Sequence, residues 1–262
     1  MKRLFVMLAM LVSTSNYAFP SDSSVLVLDV VSNKTQYVHN GQEIRPIASI
    51  TKLMTAMVTI NYDKDLNRKL LLSNRVSSNL PRQYYTRYEL LNAMLVRSDN
   101  AAAETIAEDY PGGRSEFVKQ MNLHAKVWRM NNTAFIDPTG LSVFNVSTVY
   151  DVANMIQTAS SYWFIKEASV KKTVSIETQV KKKSQIVNLT NTNQPLLFEF
   201  NNIVISKTGL TNAAGWCMSL LVTQKDKDYV IVVLGSKNKN ERTATVKDIM
   251  YSHVLDANSY LR

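Results

Sequence analysis

A serine and a lysine lie three residues apart in the stretch P-I-A-S-I-T-K-L-M-T-A-M-V, where an apolar helix is predicted to begin. Residues three apart on a helix share a face, so Ser49 and Lys52 can contact one another. A cation is unfavourable in the first turn of a helix, because the helix N-terminus carries partial positive charge. Burial and nearby positive potential would lower the pKa of Lys52, and the neutral amine could then take the proton of Ser49. The S-x-x-K spacing also occurs elsewhere in the chain, so a plain helix cap is the alternative for Ser49 alone.

Two other short motifs carry polar side chains that could act together with this pair. The stretch R-S-D-N-A-A-A-E places Ser98 and Asn100 in a turn between two predicted helices. The stretch I-V-I-S-K-T-G-L places Lys207, Thr208 and Gly209 at the end of a predicted apolar strand. Each motif alone has a structural explanation, as a helix cap or as an edge-strand lysine before a turn. Their combination in this order, on a helix, a loop and a strand, indicates a catalytic site.

The ordered motifs S-x-x-K, S-D-N and K-T-G resemble those of the penicilloyl-serine transferases, the superfamily of penicillin-binding proteins and serine β-lactamases. The resemblance covers essentially the whole chain after its first residues. It implies that Ser49 is the acylated nucleophile and that Lys52 is its base. It also implies that Ser98 relays a proton to the leaving amine and that Asn100 holds the substrate amide. Neither a cofactor nor a metal is implied.

The same resemblance implies substrate-binding roles for the strand that carries K-T-G. Lys207 and Thr208 are implied to hold an anionic substrate, and Gly209 to let another chain approach the strand closely. The backbone N–H groups of Ser49 and Leu210 are implied to form an oxyanion hole, in which each donor can be worth about 10² to 10³ in rate. A substrate peptide would then add to the edge of this strand through main-chain hydrogen bonds.

Particular motifs distinguish the branches of this superfamily. Class A β-lactamases use the glutamate of an E-x-x-L-N motif that follows S-D-N, whereas the similar string E-L-L-N begins here at Glu89, before Ser98. Efficient β-lactam hydrolysis is therefore not expected. The stretches P-I-A-S-I-T-K-L-M-T-A and D-P-T-G-L, the latter at residues 137–141, resemble those of low-molecular-mass penicillin-binding proteins, the D-alanyl-D-alanine carboxypeptidases and endopeptidases.

The C-terminal part of the sequence indicates which branch of these penicillin-binding proteins the chain resembles. The residues after Gly209 leave room for two strands and one helix, so neither a second β-domain nor a membrane anchor is expected. The chain thus resembles the soluble D-alanyl-D-alanine endopeptidases. Arg242 aligns loosely with an arginine that helps to bind the substrate carboxylate in the carboxypeptidases. Leu210 stands where those enzymes often have a histidine, which leaves their exact substrate preference open here.

The expected activity is hydrolysis of D-alanyl crosslinks in bacterial peptidoglycan through an acyl-enzyme on Ser49, with β-lactam antibiotics as covalent inhibitors. Removal of a terminal D-Ala by a D,D-carboxypeptidase is the first alternative. A serine β-lactamase and a non-catalytic wall-binding protein are less favoured, the second because the motifs are intact. The sequence does not reveal the oligomeric state, and we expect a monomer.

The first residues and the charge of the chain indicate where the protein works. Lys2 and Arg3 precede the apolar run L-F-V-M-L-A-M-L-V, which is too short for a membrane span. This pattern predicts a secretory signal peptide over residues 1–18, cleaved after Ala18, and hence a periplasmic enzyme. The formal net charge of +9 suits an anionic polymer as partner, whereas nucleic acid is not expected for an exported protein.

Two further features concern the surface and the core. Lysines cluster within residues 166–183, which predicts a solvated β-hairpin; the alternative is a surface that tracks an anionic polymer. Cys217 is the only cysteine, so no intrachain disulfide can form. It lies in an apolar strand-like run and is expected to be buried and unreactive.

The order of predicted elements is a short hairpin, one helix, a mainly helical segment, a β meander and a terminal helix. This order indicates an α+β fold, with an antiparallel sheet flanked by helices and a helical subdomain; the resemblance implies the transpeptidase fold of penicillin-binding proteins and β-lactamases. We expect one catalytic domain over residues 19–262, with an α/β lobe at about 19–62 and 165–262 and a helical lobe at about 63–164. The terminal helix should pack on the sheet through an apolar stripe, Val246, Ile249, Met250, Val254 and Leu255.

Overall fold

Residues 22–180 and 183–255 are described by a computed structural model. The predicted signal peptide lies outside the described residues, as do Lys181 and Lys182 of the basic segment. The strands are β1 Ser24–Asp29, β2 Lys34–His39, β3 Arg45–Pro46, β4 Lys69–Leu71, β5 Tyr84–Thr86, β6 Val146–Ser147, β7 Thr173–Val180, β8 Lys183–Thr190, β9 Ile203–Thr211, β10 Gly215–Gln224 and β11 Lys227–Ser236. The α-helices are α1 Thr51–Tyr62, α2 Arg87–Asn92, α3 Asn100–Glu108, α4 Gly113–Val127, α5 Val149–Ala159, α6 Trp163–Ser169, α7 Gln194–Glu199 and α8 Lys239–Ile249. A 3₁₀ turn, Ala48–Ile50, precedes α1, and π-helical turns Ala93–Arg97 and Met250–Val254 extend α2 and α8.

Five of the strands form an antiparallel sheet in the order β2-β1-β11-β10-β9. Successive side chains of a strand point to opposite faces, and both faces of this sheet are covered. In β1, Val25 and Val27 are buried on one face, whereas Leu26 and Leu28 are buried on the other. β9 is an edge strand, and at Gly209 one of its faces lies against the 3₁₀ turn that precedes α1.

Helix α8 covers one face of the sheet, as its apolar stripe predicts. All five residues of the stripe are buried in the same apolar cluster as the side chains on that face of β1. The helix begins after Asn238, whose side chain accepts a hydrogen bond from the Glu241 N–H at 2.9 Å. This is a standard N-cap. Arg242 therefore lies in the first turn of α8, beside the beginning of β10.

Helix α1 is the central helix of the other layer. Every side chain from residue 51 to residue 59 is buried, and the helix packs against α3, α4 and α5. A helix that is buried on all sides has no solvent-facing stripe. Lys52 thus lies in an enclosed helix, and Ser49 lies in the 3₁₀ turn directly before it.

Several short elements, among them the strands β3 to β6, and one strand boundary differ from the prediction. Helices α6 and α7 were not expected, because runs of seven and six residues are too short to show a helical period. The K-T-G triplet lies inside β9 rather than at its end. β9 continues because Leu210 and Thr211 still pair with Trp216 and Gly215 of β10.

Strands β7 and β8 pair with each other outside the central sheet, so the predicted hairpin is confirmed. Most of its side chains are exposed, whereas Ile176 and Leu189 are buried in the main core and attach the hairpin to it. At its base, Lys171 forms an ion pair of 2.8 Å with Glu167. Strand β8 ends at Thr190, and the next residues form a wall of the cleft described below.

Cys217 is buried in β10, and burial raises the pKa of its thiol to about 11. The thiol is therefore almost entirely protonated at neutral pH, as expected of an unreactive cysteine. In the part of the chain that the structure describes, none of the helices has the length and apolar character that crossing a membrane requires.

Candidate active site

Ser49 lies in the 3₁₀ turn rather than in α1, and its side chain caps neither element. The capping alternative for this serine is therefore wrong. The preceding residue, Ala48, has φ of 46°, a conformation that costs a non-glycine residue of order 1 kcal/mol or more. Such strain persists only where the surroundings enforce it, and here two glycines do so.

Gly209 and Gly140 hold the serine turn from two sides. A Cβ atom on Gly209 would lie 2.8 Å from Ile47 O and 3.1 Å from Ser49 N. A Cβ atom on Gly140, whose φ is +83°, would lie 1.9 Å from Ala48 O. Both glycines are therefore required for the close packing of backbone on backbone. The close approach that was expected at Gly209 is made by the protein's own serine turn.

Lys52 contacts Ser49 at the bottom of the cleft. Its side chain is 0% exposed, and Nζ lies 2.8 Å from Ser49 Oγ, 2.8 Å from Asn100 Oδ1 and 2.6 Å from Thr139 O. Burial lowers the pKa of Lys52 to about 7, although nearby carboxylates partly oppose this effect. The amine is therefore divided between its charged and neutral forms near neutral pH.

The S-D-N turn directs its three side chains to two different tasks. Ser98 has φ of 66° and ends the π-helical turn, and Asn100 begins α3. The side chain of Asp99, between them, caps α3 by accepting from the Ala102 N–H at 2.9 Å and is 1% exposed. Asp99 thus serves the fold, while Ser98 and Asn100 face the cleft.

Lys207 reaches across from β9 to this turn. Its Nζ donates to Ser98 Oγ at 3.0 Å and to the backbone oxygen of Thr208 at 2.9 Å. Burial lowers the pKa of Lys207 well below its ordinary value, and the neighbouring Lys52 and Arg242 lower it further. None of the carboxylates within residues 22–180 and 183–255 forms an ion pair with it.

The cleft around these groups has a volume of about 510 Å³. Its lining includes Ser49, Thr208, Leu210 and residues of the segment 190–195. This segment could not be predicted to line the cleft, because T-N-T-N-Q-P has the ordinary composition of a loop. Within it, Thr192 Oγ1 accepts a hydrogen bond of 2.6 Å from Thr208 Oγ1, so the loop orients a hydroxyl of the K-T-G motif.

Every charged side chain that lines the cleft is a cation: Arg97, Lys239 and Arg242. Arg242 is 2% exposed and stacks its guanidinium 5.4 Å from the ring centre of Trp216. Its Nη1 makes one long hydrogen bond, 3.4 Å, to Cys217 O, and its Nε has no hydrogen-bond partner among the described residues. Burial lowers the pKa of Arg242 to about 10. The charge of the cleft lining is therefore positive, and no carboxylate among the described lining residues balances it.

Glu89, the glutamate of the misplaced E-L-L-N string, has a structural task. Its side chain accepts from the Thr86 N–H at 2.7 Å and its own N–H donates to Thr86 Oγ1, which together form a capping box at the start of α2. It does not line the cleft. Among the described residues, no three His, Cys, Asp or Glu side chains converge to form a possible metal site.

A serine hydroxyl in contact with a buried, partly neutral lysine is the arrangement of an activated nucleophile, which defines a serine acyl-transfer enzyme. The chain belongs to the D-alanyl-D-alanine carboxypeptidase family, whose sequence model matches residues 11–238. It is a low-molecular-mass penicillin-binding protein and a serine-type D,D-peptidase, which confirms the class expected from the motifs. It is 34% identical to the D-alanyl-D-alanine endopeptidase of Escherichia coli (strain K12) over 245 residues, 90% of this chain and 75% of that protein.

Solved structures confirm the predicted α+β transpeptidase fold. Penicillin-binding protein D2 of Listeria monocytogenes, determined in a cefotaxime-bound form, is 27% identical and superposes with a TM-score of 0.76 over 89% of this chain and 97% of that one. The Streptomyces K15 DD-transpeptidase, at 23% identity, has a TM-score of 0.81 over 89% of this chain and 98% of that one. The second similarity concerns the fold alone.

Proposed function

We propose that the protein is a periplasmic D-alanyl-D-alanine endopeptidase that hydrolyses D-alanyl crosslinks of bacterial peptidoglycan through an acyl-enzyme on Ser49. The observation that carries the proposal is the contact of 2.8 Å between Lys52 Nζ and Ser49 Oγ, in which the buried Lys52 has a pKa of about 7. A base with that pKa can accept a proton at neutral pH. The 34% identity to the endopeptidase of Escherichia coli supports the choice of a crosslink as the bond that is cut.

Acylation begins with one proton transfer from Ser49 to Lys52. Ser49 Oγ forms a bond to the carbonyl carbon of a D-alanyl residue, and negative charge develops on the carbonyl oxygen. The backbone N–H groups of Ser49 and Leu210 stabilise this charge in our proposal. The C–N bond then breaks, and the leaving amine takes, through Ser98, the proton that Lys52 accepted, so Lys52 is neutral again. In the second half, water attacks the ester carbon and gives a proton to Lys52; the bond between that carbon and Ser49 Oγ then breaks, and Lys52 returns the proton to Ser49.

The proton for the leaving amine comes through Ser98. Because Lys207 Nζ donates to Ser98 Oγ at 3.0 Å, the hydroxyl proton of Ser98 is directed elsewhere. Asn100 has the complementary task. Its Oδ1 accepts from Lys52 at 2.8 Å, which leaves the amide N–H groups to hold a substrate carbonyl.

The substrate carries a carboxylate next to the bond that is cut. Arg242 supports this proposal, because a buried guanidinium without a carboxylate partner is costly unless a ligand supplies one. Thr208, oriented by Thr192, adds a hydroxyl donor nearby. The absence of Asp and Glu among the lining residues of the cleft favours the anionic peptides of the cell wall as substrates.

Incubation with benzylpenicillin tests the proposed nucleophile. Intact-mass spectrometry should show one penicilloyl adduct, which peptide mapping should assign to Ser49, and the Ser49→Ala variant should show none. The adduct should be released slowly, since the cleft lining that the structure describes contains no glutamate to take the place of the one that class A β-lactamases use. An adduct on another residue, or rapid multiple turnover of nitrocefin, would contradict the proposal.

Digestion of purified muropeptides tests the choice of bond. Crosslinked dimers should be converted to monomers without release of free D-Ala. The second candidate is a D,D-carboxypeptidase, the activity after which the matching family is named. Release of free D-Ala from pentapeptides, with dimers left intact, would replace the endopeptidase by this candidate.

A further inference from the structure

The D-P-T-G-L motif forms a loop around one carboxylate, and the mechanism above does not use it. Asp137 is buried, and its Oδ1 accepts from the Thr139 N–H at 2.6 Å, from Thr139 Oγ1 at 2.7 Å and from the Gly140 N–H at 2.7 Å. Its Oδ2 accepts from the Ser142 N–H at 2.7 Å. Burial alone would raise the pKa of Asp137, but these hydrogen bonds outweigh it and the pKa is lowered. An ionised carboxylate therefore fixes the backbone of the loop.

The loop contacts both members of the reacting pair. Thr139 O lies 2.6 Å from Lys52 Nζ. The next residue, Gly140, packs against the backbone of Ala48, directly before Ser49. The loop is itself fastened to α1, since Thr55 Oγ1 donates to the backbone oxygen of residue 138 at 2.6 Å. A shift of the loop would therefore move the base and the nucleophile relative to each other.

A neutral lysine amine has two N–H groups and one lone pair, and its three partners here are of two kinds. Asn100 Oδ1 and Thr139 O are carbonyl oxygens, which can only accept hydrogen bonds. They occupy the two N–H groups of neutral Lys52. The third partner, Ser49 Oγ, carries a proton and therefore faces the lone pair. In this arrangement Ser49 is the donor, as proton transfer to Lys52 requires.

We infer that Asp137 is a positioning residue of acylation: by fixing the Thr139 carbonyl, it directs the lone pair of neutral Lys52 at the hydroxyl of Ser49. The inference rests on the proposed role of Lys52 as the base. The D-P-T-G-L loop then does more than form a turn, because it presents the backbone carbonyl of Thr139 to the buried amine of Lys52.

The charge of Asp137 has a second effect on Lys52. Three carboxylates raise the pKa of Lys52 against the effect of burial, in the order Asp137, Asp99 and Glu104. Asp137 thus keeps Lys52 from becoming too weak a base. Removal of this charge should move the pKa of Lys52 downward. Loosening of the loop that admits water should move it upward, because the effect of burial would be relieved.

The rate of acylation by benzylpenicillin, measured as a function of pH, separates these effects. Asp137→Asn should acylate about 10²-fold more slowly, the scale of loss for a small misplacement of reacting groups. Its acid limb should shift to lower pH. The matched control is Asp151→Asn, another buried carboxylate, which accepts from the Asn132 N–H at 2.7 Å and does not touch the cleft. Its rate and profile should equal those of the parent protein.

Thr139→Val supplies a second test if Asp137→Asn does not fold. It removes one donor to Asp137 but leaves the carboxylate charge, so the rate should fall several-fold while the acid limb stays in place. An unchanged rate in either folded variant, or an acid limb of Asp137→Asn that stays or moves to higher pH, would overturn the inference. If the parent protein itself forms no adduct on Ser49, the proposed function is contradicted. That result is obtained before any variant is made, so it is distinguishable from a failure of the inference about Asp137.

Discussion

The molecule buries cations in two regions, which differ in whether a carboxylate pairs with the cation. In the helical layer, Arg87 is 1% exposed and forms ion pairs of 2.7 Å with Asp63 and 2.8 Å with Asp109. In the cleft, Lys52 and Arg242 are equally buried, yet none of the carboxylates that the structure describes pairs with them. A buried charge without a partner destabilises a protein, whereas a paired one is tolerated.

The difference shows what each region is for. Arg87 joins the ends of two helices, and its charges are balanced within the protein. The cleft lacks such balance, so the missing anion must come from the substrate, or the amine must become neutral, as at Lys52. Sites that violate the general rules of folding in this way are often functional ones.

The largest effect is expected when the base itself is removed. Lys52→Met should slow acylation by benzylpenicillin by about 10²- to 10⁴-fold, the contribution of a well-placed general base. Its free energy of unfolding should change less than that of Arg87→Met, because no carboxylate loses a partner. Mass-spectrometric time courses and urea unfolding provide the two values. Acylation at the parent rate would remove Lys52 from the mechanism.

The structural cation should show the opposite pattern. Arg87→Met leaves Asp63 and Asp109 without this partner, so the free energy of unfolding should fall by about 3 kcal/mol, the lower end for a broken buried pair. The lower end applies because Asp109 also pairs with Arg68 at 2.8 Å. An Arg87→Met variant that remains folded should be acylated by benzylpenicillin at the parent rate. Urea unfolding followed by intrinsic fluorescence measures the loss of stability. A variant of unchanged stability that is acylated slowly would contradict the structural role assigned to Arg87.

Substitution of Arg242, a buried cation without a carboxylate partner among the described residues, should weaken substrate binding without a loss of stability. Arg242→Gln should raise KM for a crosslinked dimer by about 10- to 100-fold, since a hydrogen bond to a charged group is worth about 1.5–3 kcal/mol. The same dimer amidated at the carboxylate next to the scissile bond should show little difference between parent and variant. Equal losses for both dimers would indicate that Arg242 supports the fold instead.

A further prediction concerns the pH dependence of stability. The pKa of Lys52 is about 7 in the folded protein, against an ordinary value of 10.5. Between these values the unfolded chain binds more protons, so the free energy of unfolding should rise with pH across this window. Lys207, whose pKa is also lowered, acts in the same direction. Urea unfolding of Lys52→Met across the window should show a smaller rise than the parent protein, and an equal rise would indicate that Lys52 titrates normally.

The short motifs predicted which side chains meet, because each motif places reactive atoms by local geometry. S-x-x-K spacing puts Ser49 and Lys52 on one side of a turn, and the contacts of Lys52 with Asn100 and of Lys207 with Ser98 follow once the motifs converge. The α+β order of elements was predictable for a similar reason. Strands and long helices carry their periods in the sequence itself.

The remaining parts of the site depend on tertiary contacts that leave no local pattern. Thr192 orients Thr208 across 16 positions of sequence, from a loop of ordinary composition. Gly140 lies beside Ala48 only because two distant segments meet there. The sequence alone therefore could not predict that position 140 has no room for a side chain. Arg97 lines the cleft because it precedes Ser98, yet any exposed arginine would look the same in the sequence.

The protonation state of Lys52 is the most direct test of the mechanism. NMR of protein labelled in the lysine side chains, compared with Lys52→Met, identifies the Nζ or Cε resonance of this residue. We expect that resonance to titrate with a midpoint near 7 in the parent protein. A midpoint near the ordinary value of 10.5 would show that Lys52 is charged under working conditions and cannot take the proton of Ser49.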